Sequence, residues 1–212
     1  MQTNTQNKIA IFYHNAIMGN HEEVDKQIMH RLKESGLLER ADVFVKNDCK
    51  DIGLFEFPTL EMLDQFSVYH PEYYILYIMN KGVSRPDIKP IQDWRESMLY
   101  WNVDKWRECV RKLDEGSDAV GINVVDAPKR HFQGNWWWAK AEHIKRLGVV
   151  DEVSFVSVPG YNMTDRHKCE FWILNGDCRI FSPYHHKIDP YQQENPKRNY
   201  INLKDDVWNF KS

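Results

Sequence analysis

"YYILYIMNKG", Tyr73 to Gly82, decides how this chain folds. Tyr73 to Met79 is an unbroken apolar and aromatic run that follows Pro71 and stops at an Asn-Lys-Gly turn. A run this short, with no polar alternation and with turn formers at both ends, predicts a strand buried on both faces. Such a strand needs helices on either side of its sheet, so the flanking sequence should alternate between the two element types.

It does. "KIAIFYH" (Lys8 to His14) reads as a first buried strand. "NHEEVDKQIMHRLKESG" then places Val24, Ile28 and Leu32 at helical spacing, with Asn20 as N-cap, acids in the first turn and Gly36 as the stop. "ADVFVKN" is a second strand, and "TLEMLDQFSVYH" a helix capped by Thr59. After the central strand, "PIQDWRESMLYWNVDKWRECVRKLDEG" predicts one long helix or two short ones. "DAVGINVVD" (Asp118 to Asp126) is a further strand, and "HFQGNWWWAKAEHIKRLG" (His131 to Gly148) a turn opening into a helix. "DEVSFVSV" is a later strand and "RHKCEFWIL" a later helix. The expected fold is α/β, with a mixed, mostly parallel sheet between helices over residues 1–182. Residues 183–212, polar and with three prolines, form an irregular arm packed on the same domain, anchored by Trp208 and Phe210.

Composition narrows the function classes. The 212 residues carry a net charge of −3, which declares no basic surface for nucleic acid. No stretch approaches 18 apolar residues, and the polar start "MQTNTQNK" is not a signal peptide, so a cytoplasmic monomer without a membrane span is expected. Cys49, Cys109, Cys169 and Cys178 form no CxxC pair and fit neither a zinc ribbon nor a disulfide framework. Aromatic residues reach 13%, with eight Trp. Large rings serve cores, but they also serve ligand sites, because they offer contact area at low entropy cost.

In open α/β sheets ligands bind beyond the carboxyl ends of the strands. Three places qualify: Tyr13 to Gly19, Met79 to Arg85, and Val125 to Trp138. In the second, Gly82 lets backbone amides approach an anion while Lys81 supplies a point charge, as a phosphate cradle or an ordinary solvated turn. Arg95, off the Trp94–Met98–Trp101 stripe, either reaches the same crevice or pairs with Glu96 or Glu108. Asp126 ends a strand and can orient a hydroxyl, hold a metal ion or act as a base. His131 is a candidate for base or phosphate-binding work. Gly134 permits a turn that presents Asn135. Successive helical positions lie 100° apart, so on a helix the three tryptophans cannot all face the core; one should face the crevice or a neighbouring loop. Glu170 is a base or an arginine's partner.

Taken in order, "SGLLERA", "TLEML", "YYILYIMNKGVS", "DWRESMLYW", "DAVGINVV", "HFQGNWWWAKAEHIKRL" and "CEFWI" resemble glycosyltransferase domains of the GT-A fold. Among them are bacterial relatives that build O-antigen and capsule and a chlorovirus relative that glycosylates its capsid. The resemblance spans Ile9 to Ile173, with "GNWWWAK" its most specific block. It implies transfer of a sugar, rhamnose or glucose, from a UDP-sugar donor to an oligosaccharide or glycoprotein glycan. It implies that Phe12, Tyr13 and His14 contact the nucleotide base, and that Lys81 and Gly82 meet the diphosphate with Arg95 in support. His131, Gly134, Asn135 and Trp137 would line the sugar pocket, and Glu170 would lie near the acceptor. Met79-Asn80 stands where relatives show His-Thr. No Asp-x-Asp pair occurs, so a manganese or magnesium ion would fall to Asp126, or Lys81 would neutralise the charge alone. A non-catalytic carbohydrate-binding module and a nucleotide-sugar hydrolase are the rival readings.

Overall fold

The computed structural model describes residues 7–48, 53–156, 163–203 and 205–208. Its centre is a six-stranded sheet of β1 (Lys8–Ala16), β2 (Ala41–Asp48), β3 (Tyr73–Met79), β4 (Ala119–Gly121), β7 (Trp137–Lys140) and β8 (Ile180–Phe181). The strand order is β2-β1-β3-β7-β4-β8. β1 pairs in parallel with both β2 and β3, and β4 pairs in parallel with β8; β7 alone runs against its two neighbours. The sheet is therefore mixed. A two-stranded ribbon, β5 (Val124–Val125) with β6 (His131–Phe132), stands apart from it.

Side-chain alternation explains the layers. Ile9, Ile11 and Tyr13 of β1, Leu76 and Ile78 of β3, and Trp138 of β7 enter one core. There they meet α1 (His21–Glu34), α3 (Lys89–Leu99), a π-helical turn (Tyr100–Asp104) and α4 (Trp106–Asp114). Ala10, Phe12, Ile75, Tyr77 and Trp137 enter the other, against α2 (Phe57–Tyr69), α5 (Ala141–Ile144) and α6 (His167–Phe171). A strand covered on both faces has no polar side, which is why β3 reads as a continuous apolar run.

The tryptophan block corrects the sequence reading. Trp137 and Trp138 are strand, not helix, and α5 begins only at Ala141. All three rings are buried, at 1%, 0% and 0% exposure. Period two, not 3.6, resolves the puzzle of adjacent rings: Trp136 and Trp138 go to one core and Trp137 to the other.

Other boundaries moved for local reasons. The strand expected over Asp118 to Asp126 breaks at Asn123, whose φ is +50°. Asn123 Nδ2 donates to Gln133 Oε1 at 2.5 Å, and Asn123 Oδ1 accepts from the His186 amide at 3.0 Å, so the chain turns out of the sheet into β5. Thr59 lies inside α2, with Glu56 at the cap position. Asn20 occupies the cap of α1 without a side-chain capping bond. Val153 to Val156 is not strand; Ser157 and Val158 lie outside the described residues.

Beyond Ser182 the described residues are irregular, apart from short 3-10 turns. Tyr184, Tyr200 and Trp208 bury into the α1/α3/α4 core, with Trp208 against Trp101 and Phe181; Phe210 lies outside the described residues. Cys109, Cys169 and Cys178 are free thiols, and Cys49 lies outside the described residues. Among the described residues no helix is long and apolar enough to cross a membrane.

Candidate functional site

Where β1 and β3 end side by side, a cleft of about 620 Å³ opens. β1 contributes His14 and Ala16 and the following Ile17 and Met18; β3 and its loop contribute Met79 to Arg85. Phe55 and Glu56 lead into α2, Arg166 and Glu170 come from α6, and Tyr191 comes from the arm.

Backbone and amide bonds stitch the two loops together. Asn80 Nδ2 donates to Asn15 Oδ1 at 2.7 Å and to the Ala16 carbonyl at 2.8 Å, while Asn80 Oδ1 accepts from the Ala16 amide at 3.0 Å. Asn15 Nδ2 in turn donates to Asn47 Oδ1 at 3.0 Å. A row of asparagines thus ties the ends of β2, β1 and β3, with Asn80 as its hub.

The cations are held unusually. Lys81 Nζ sits 4.5 Å from the centre of the Trp94 ring, and the Arg85 guanidinium 5.5 Å from that of Tyr191. Trp94 and Tyr191 meet edge to face at 5.4 Å. Ring faces hold a cation more weakly than a carboxylate does, so both charges stay available to an incoming anion. Arg95 does not enter the cleft. It is buried below the loop, donating from Nη1 to the Lys81 carbonyl at 2.7 Å and from Nε to Gln27 Oε1 at 2.8 Å, and burial pushes its pKa down. Its part is to fix the Lys81–Gly82 turn.

Glu56, which the sequence did not single out, sits at the cleft floor. Its Oε2 accepts from Asn135 Nδ2 at 2.5 Å and from the Tyr77 hydroxyl at 3.2 Å. Asn135 Oδ1 accepts from Trp137 Nε1 at 3.0 Å. An indole N–H can only donate, so this contact orients the amide and turns its NH₂ toward Glu56. Gly134 and Asn135 both adopt positive φ, +95° and +56°. A Cβ on Gly134 would fall 2.5 Å from Met98 Sδ and 3.0 Å from Trp94 Cζ2, so glycine is required there. The Gly-Asn-Trp motif therefore works from behind the cleft, as the support of a carboxyl group.

Burial pushes the Glu56 carboxyl above the ordinary carboxylate range, and the neighbouring Glu170 adds to this. Lys81, Asn135 and Tyr77 pull the other way. Burial, with Glu56 beside it, holds the Tyr77 hydroxyl protonated well past its usual range, so it remains a donor. Glu170 pairs with Arg166 at 3.8 Å, and Arg166 lies 5.8 Å from the centre of Phe55, whose φ of +45° is rare for a bulky residue.

The other expected site residues fall as follows. His14, Lys81, Gly82 and Glu170 line the cleft. His14 is otherwise buried, with Nδ1 2.8 Å from Thr59 Oγ1. Phe12 and Tyr13 do not reach it: Phe12 stacks on Phe44 in one core, and Tyr13 points into the other. Trp137 is also withdrawn, stacked on Tyr77 at 5.1 Å. His131 is buried against Phe171, with Nδ1 bonded to the Lys129 carbonyl at 2.7 Å. Asp126 stands on the ribbon's turn with its side chain 88% exposed, 3.5 Å from Arg130, and is no part of the cleft. Asp126→Asn is accordingly expected to change stability by less than about 0.5 kcal/mol in thermal melts. Among the described residues no three His, Cys, Asp or Glu side chains cluster to hold a metal ion.

A family model described as "Domain of unknown function (DUF8361)" matches residues 1–156. The chain belongs to that family. No curated protein and no solved structure matches it. The DUF8361 match contains β1, β3, Glu56 and the Gly-Asn-Trp motif; Arg166, Glu170 and Tyr191, which complete the cleft, lie beyond it.

Proposed function

We propose that this protein is a glycosyltransferase of GT-A type, moving a sugar from a UDP-sugar to a glycan hydroxyl. The observation that carries the reading is the pairing, in one cleft at the ends of parallel strands, of two ring-held cations with two carboxyl groups. Transfer builds negative charge on the departing diphosphate, which Lys81 and Arg85 offset. The carboxyl groups suit sugar hydroxyls, and the apolar mouth formed by Ile17, Met18, Phe55 and Tyr191 suits a base and the faces of sugar rings. A manganese or magnesium ion arriving with the donor would be shared between the diphosphate and the Glu170 carboxylate, exchanging Glu170's 3.8 Å pairing with Arg166 for the ion, and would help neutralise the leaving group's charge. The acceptor is an oligosaccharide or glycoprotein glycan, in the surface or capsid glycan assembly that the resemblance implies. A carbohydrate-binding module fits less well, because the tryptophans it would use are in the core.

Calorimetric titration with UDP, UDP-glucose and free glucose tests this. Binding of both nucleotides and not of glucose is expected. Lys81→Ala should weaken UDP by about 10- to 100-fold, the equivalent of one charge-assisted contact. Tight glucose binding without UDP binding would instead favour the module.

A further inference from the structure

We propose that Glu56 is the catalytic base of this cleft, accepting the proton of the acceptor hydroxyl on Oε1, and that Asn135 and Tyr77 are its positioning residues. This rests on the glycosyl-transfer reading above and names the group within it that does the proton work.

The geometry separates the two oxygens. Asn135 and Tyr77 both donate to Oε2. Among the described residues no hydrogen bond to Oε1 accompanies them, and the residue lines the cleft, so Oε1 is the oxygen a ligand hydroxyl meets. The support behind Oε2 is rigid. Tyr77 belongs to the central strand, Trp137 pairs with it in register across β3 and β7, and the two rings stack at an interplanar angle of 28°. Asn135 bridges the Trp137 indole to the carboxylate. Three elements thus fix one carboxylate, the preorganisation a base needs to lose no time in orientation. Glu170, by contrast, has its charge engaged by Arg166.

In the transfer step the acceptor O–H breaks and its proton goes to Glu56 Oε1. The oxygen bonds the anomeric carbon, and the bond from that carbon to the diphosphate oxygen breaks with its electron pair. Lys81 and Arg85 stabilise the diphosphate formed. Charged and titratable groups facing Glu56 are Tyr77, Lys81 and Arg85 from β3 and its loop, Arg166, Glu170 and Cys169 from α6 and the residue before it, and His14 from β1 across the same cleft.

The pH dependence has a definite sign. Only ionised Glu56 accepts a proton, so turnover falls as pH drops through its raised pKa and reaches its plateau above it. The folded state holds this proton more tightly than the unfolded chain does. Ionising Glu56 therefore lowers stability as pH rises past the unfolded value, and the neutral Glu56→Gln is expected to fold at least as well as the wild type.

The test uses the full chain and measures UDP release from UDP-glucose, with water as acceptor, across pH, alongside UDP binding. Glu56→Gln should lower the plateau rate by about 10²- to 10⁴-fold with the UDP dissociation constant changed by less than about threefold, below half of one tenfold step in free energy. Asn135→Ala and Tyr77→Phe each remove a bond to the ionised form, so the acid limb should move to higher pH. In ¹³C-glutamate-labelled protein, the carboxyl resonance missing from Glu56→Gln should show the same upward move in Asn135→Ala. Wild-type rates in Glu56→Gln, with UDP still bound, overturn the assignment and leave the glycosyl-transfer reading standing. A wild-type chain that binds no UDP overturns that reading, and the base with it. Rate loss in Asn135→Ala with an unmoved acid limb and an unmoved resonance overturns the positioning role.

Discussion

Gly19→Ala is expected to lower the melting temperature by on the order of 10 °C and to abolish ligand binding in the cleft. Gly19 lies in the loop after β1 with φ +53°, and a Cβ there would fall 1.7 Å from the Val83 carbonyl oxygen. The obstacle is backbone, so no side-chain rotation relieves it. The β1 loop would have to lift off the β3 loop, breaking the bond from the Asn20 amide to the same carbonyl, 3.3 Å in the native chain. Left-handed backbone costs an alanine about 1–2 kcal/mol, and forced overpacking about 1–3 kcal/mol more. For a chain of this size each kcal/mol is worth about 2–4 °C. Gly176→Ala is the control. It too has positive φ, +81°, but nothing lies within 4 Å of the added carbon, so only the backbone cost applies. If the two variants melt together in calorimetry, the loops are not in contact as described.

These loops show what sequence can and cannot disclose. Both were legible as strand ends, because an apolar run followed by Gly or Asn is a local signal. Their adjacency followed from the rule for open sheets. The asparagine row was not legible: Asn15, Asn47 and Asn80 meet only because parallel register sets Asn15 opposite Asn47, and side-chain amides give no periodic signal. Glu56 carries no sequence signal for the same reason. Preceding Phe57 and Pro58, it reads as an ordinary acidic residue at the start of a helix. Its significance lies in the partners it meets from β3 and from the turn before β7, far away in sequence.

The aromatic block gave the opposite lesson. The sequence marks the block but not its geometry, because "WWWAKAEHIKRL" ends in a helical pattern that runs back without a break over rings that belong to a strand. Asp126 lies away from the cleft for a similar local reason. The run "AVGINVV" reads as one strand, while Asn123 breaks it with a left-handed turn that several hydrogen bonds hold. Tyr191, within a proline-containing arm, reaches the cleft with no sequence cue beyond being an aromatic residue.

Substitution along the tryptophan block decides between the two readings of it. On a helix opening beside a crevice, one of the three rings would be dispensable to folding. On a strand covered from both sides, none is. Trp138→Ala removes a fully buried indole and the bond from its Nε1 to the Asn102 carbonyl, 2.9 Å long, in the π-helical turn after α3. The cost expected for such a truncation is about 3–5 kcal/mol, a fall of roughly 6–20 °C in melting temperature. Trp138→Phe keeps most of the packing but leaves that buried carbonyl without its donor, at about 1–3 kcal/mol. Trp136→Ala should cost nearly as much as Trp138→Ala, since it opens the same core, yet its Nε1 has no partner to lose. Trp137→Ala opens the opposite core and also frees the Asn135 amide, so it alone should combine a large loss of stability with a shift in the Glu56 carboxyl resonance. Calorimetric melts of all three alanine variants, with the resonance followed in the third, measure this. One variant melting within about 2 °C of the wild type, less than one kcal/mol for this chain length, would mean that its ring is not in a core and that the block is not the inner strand.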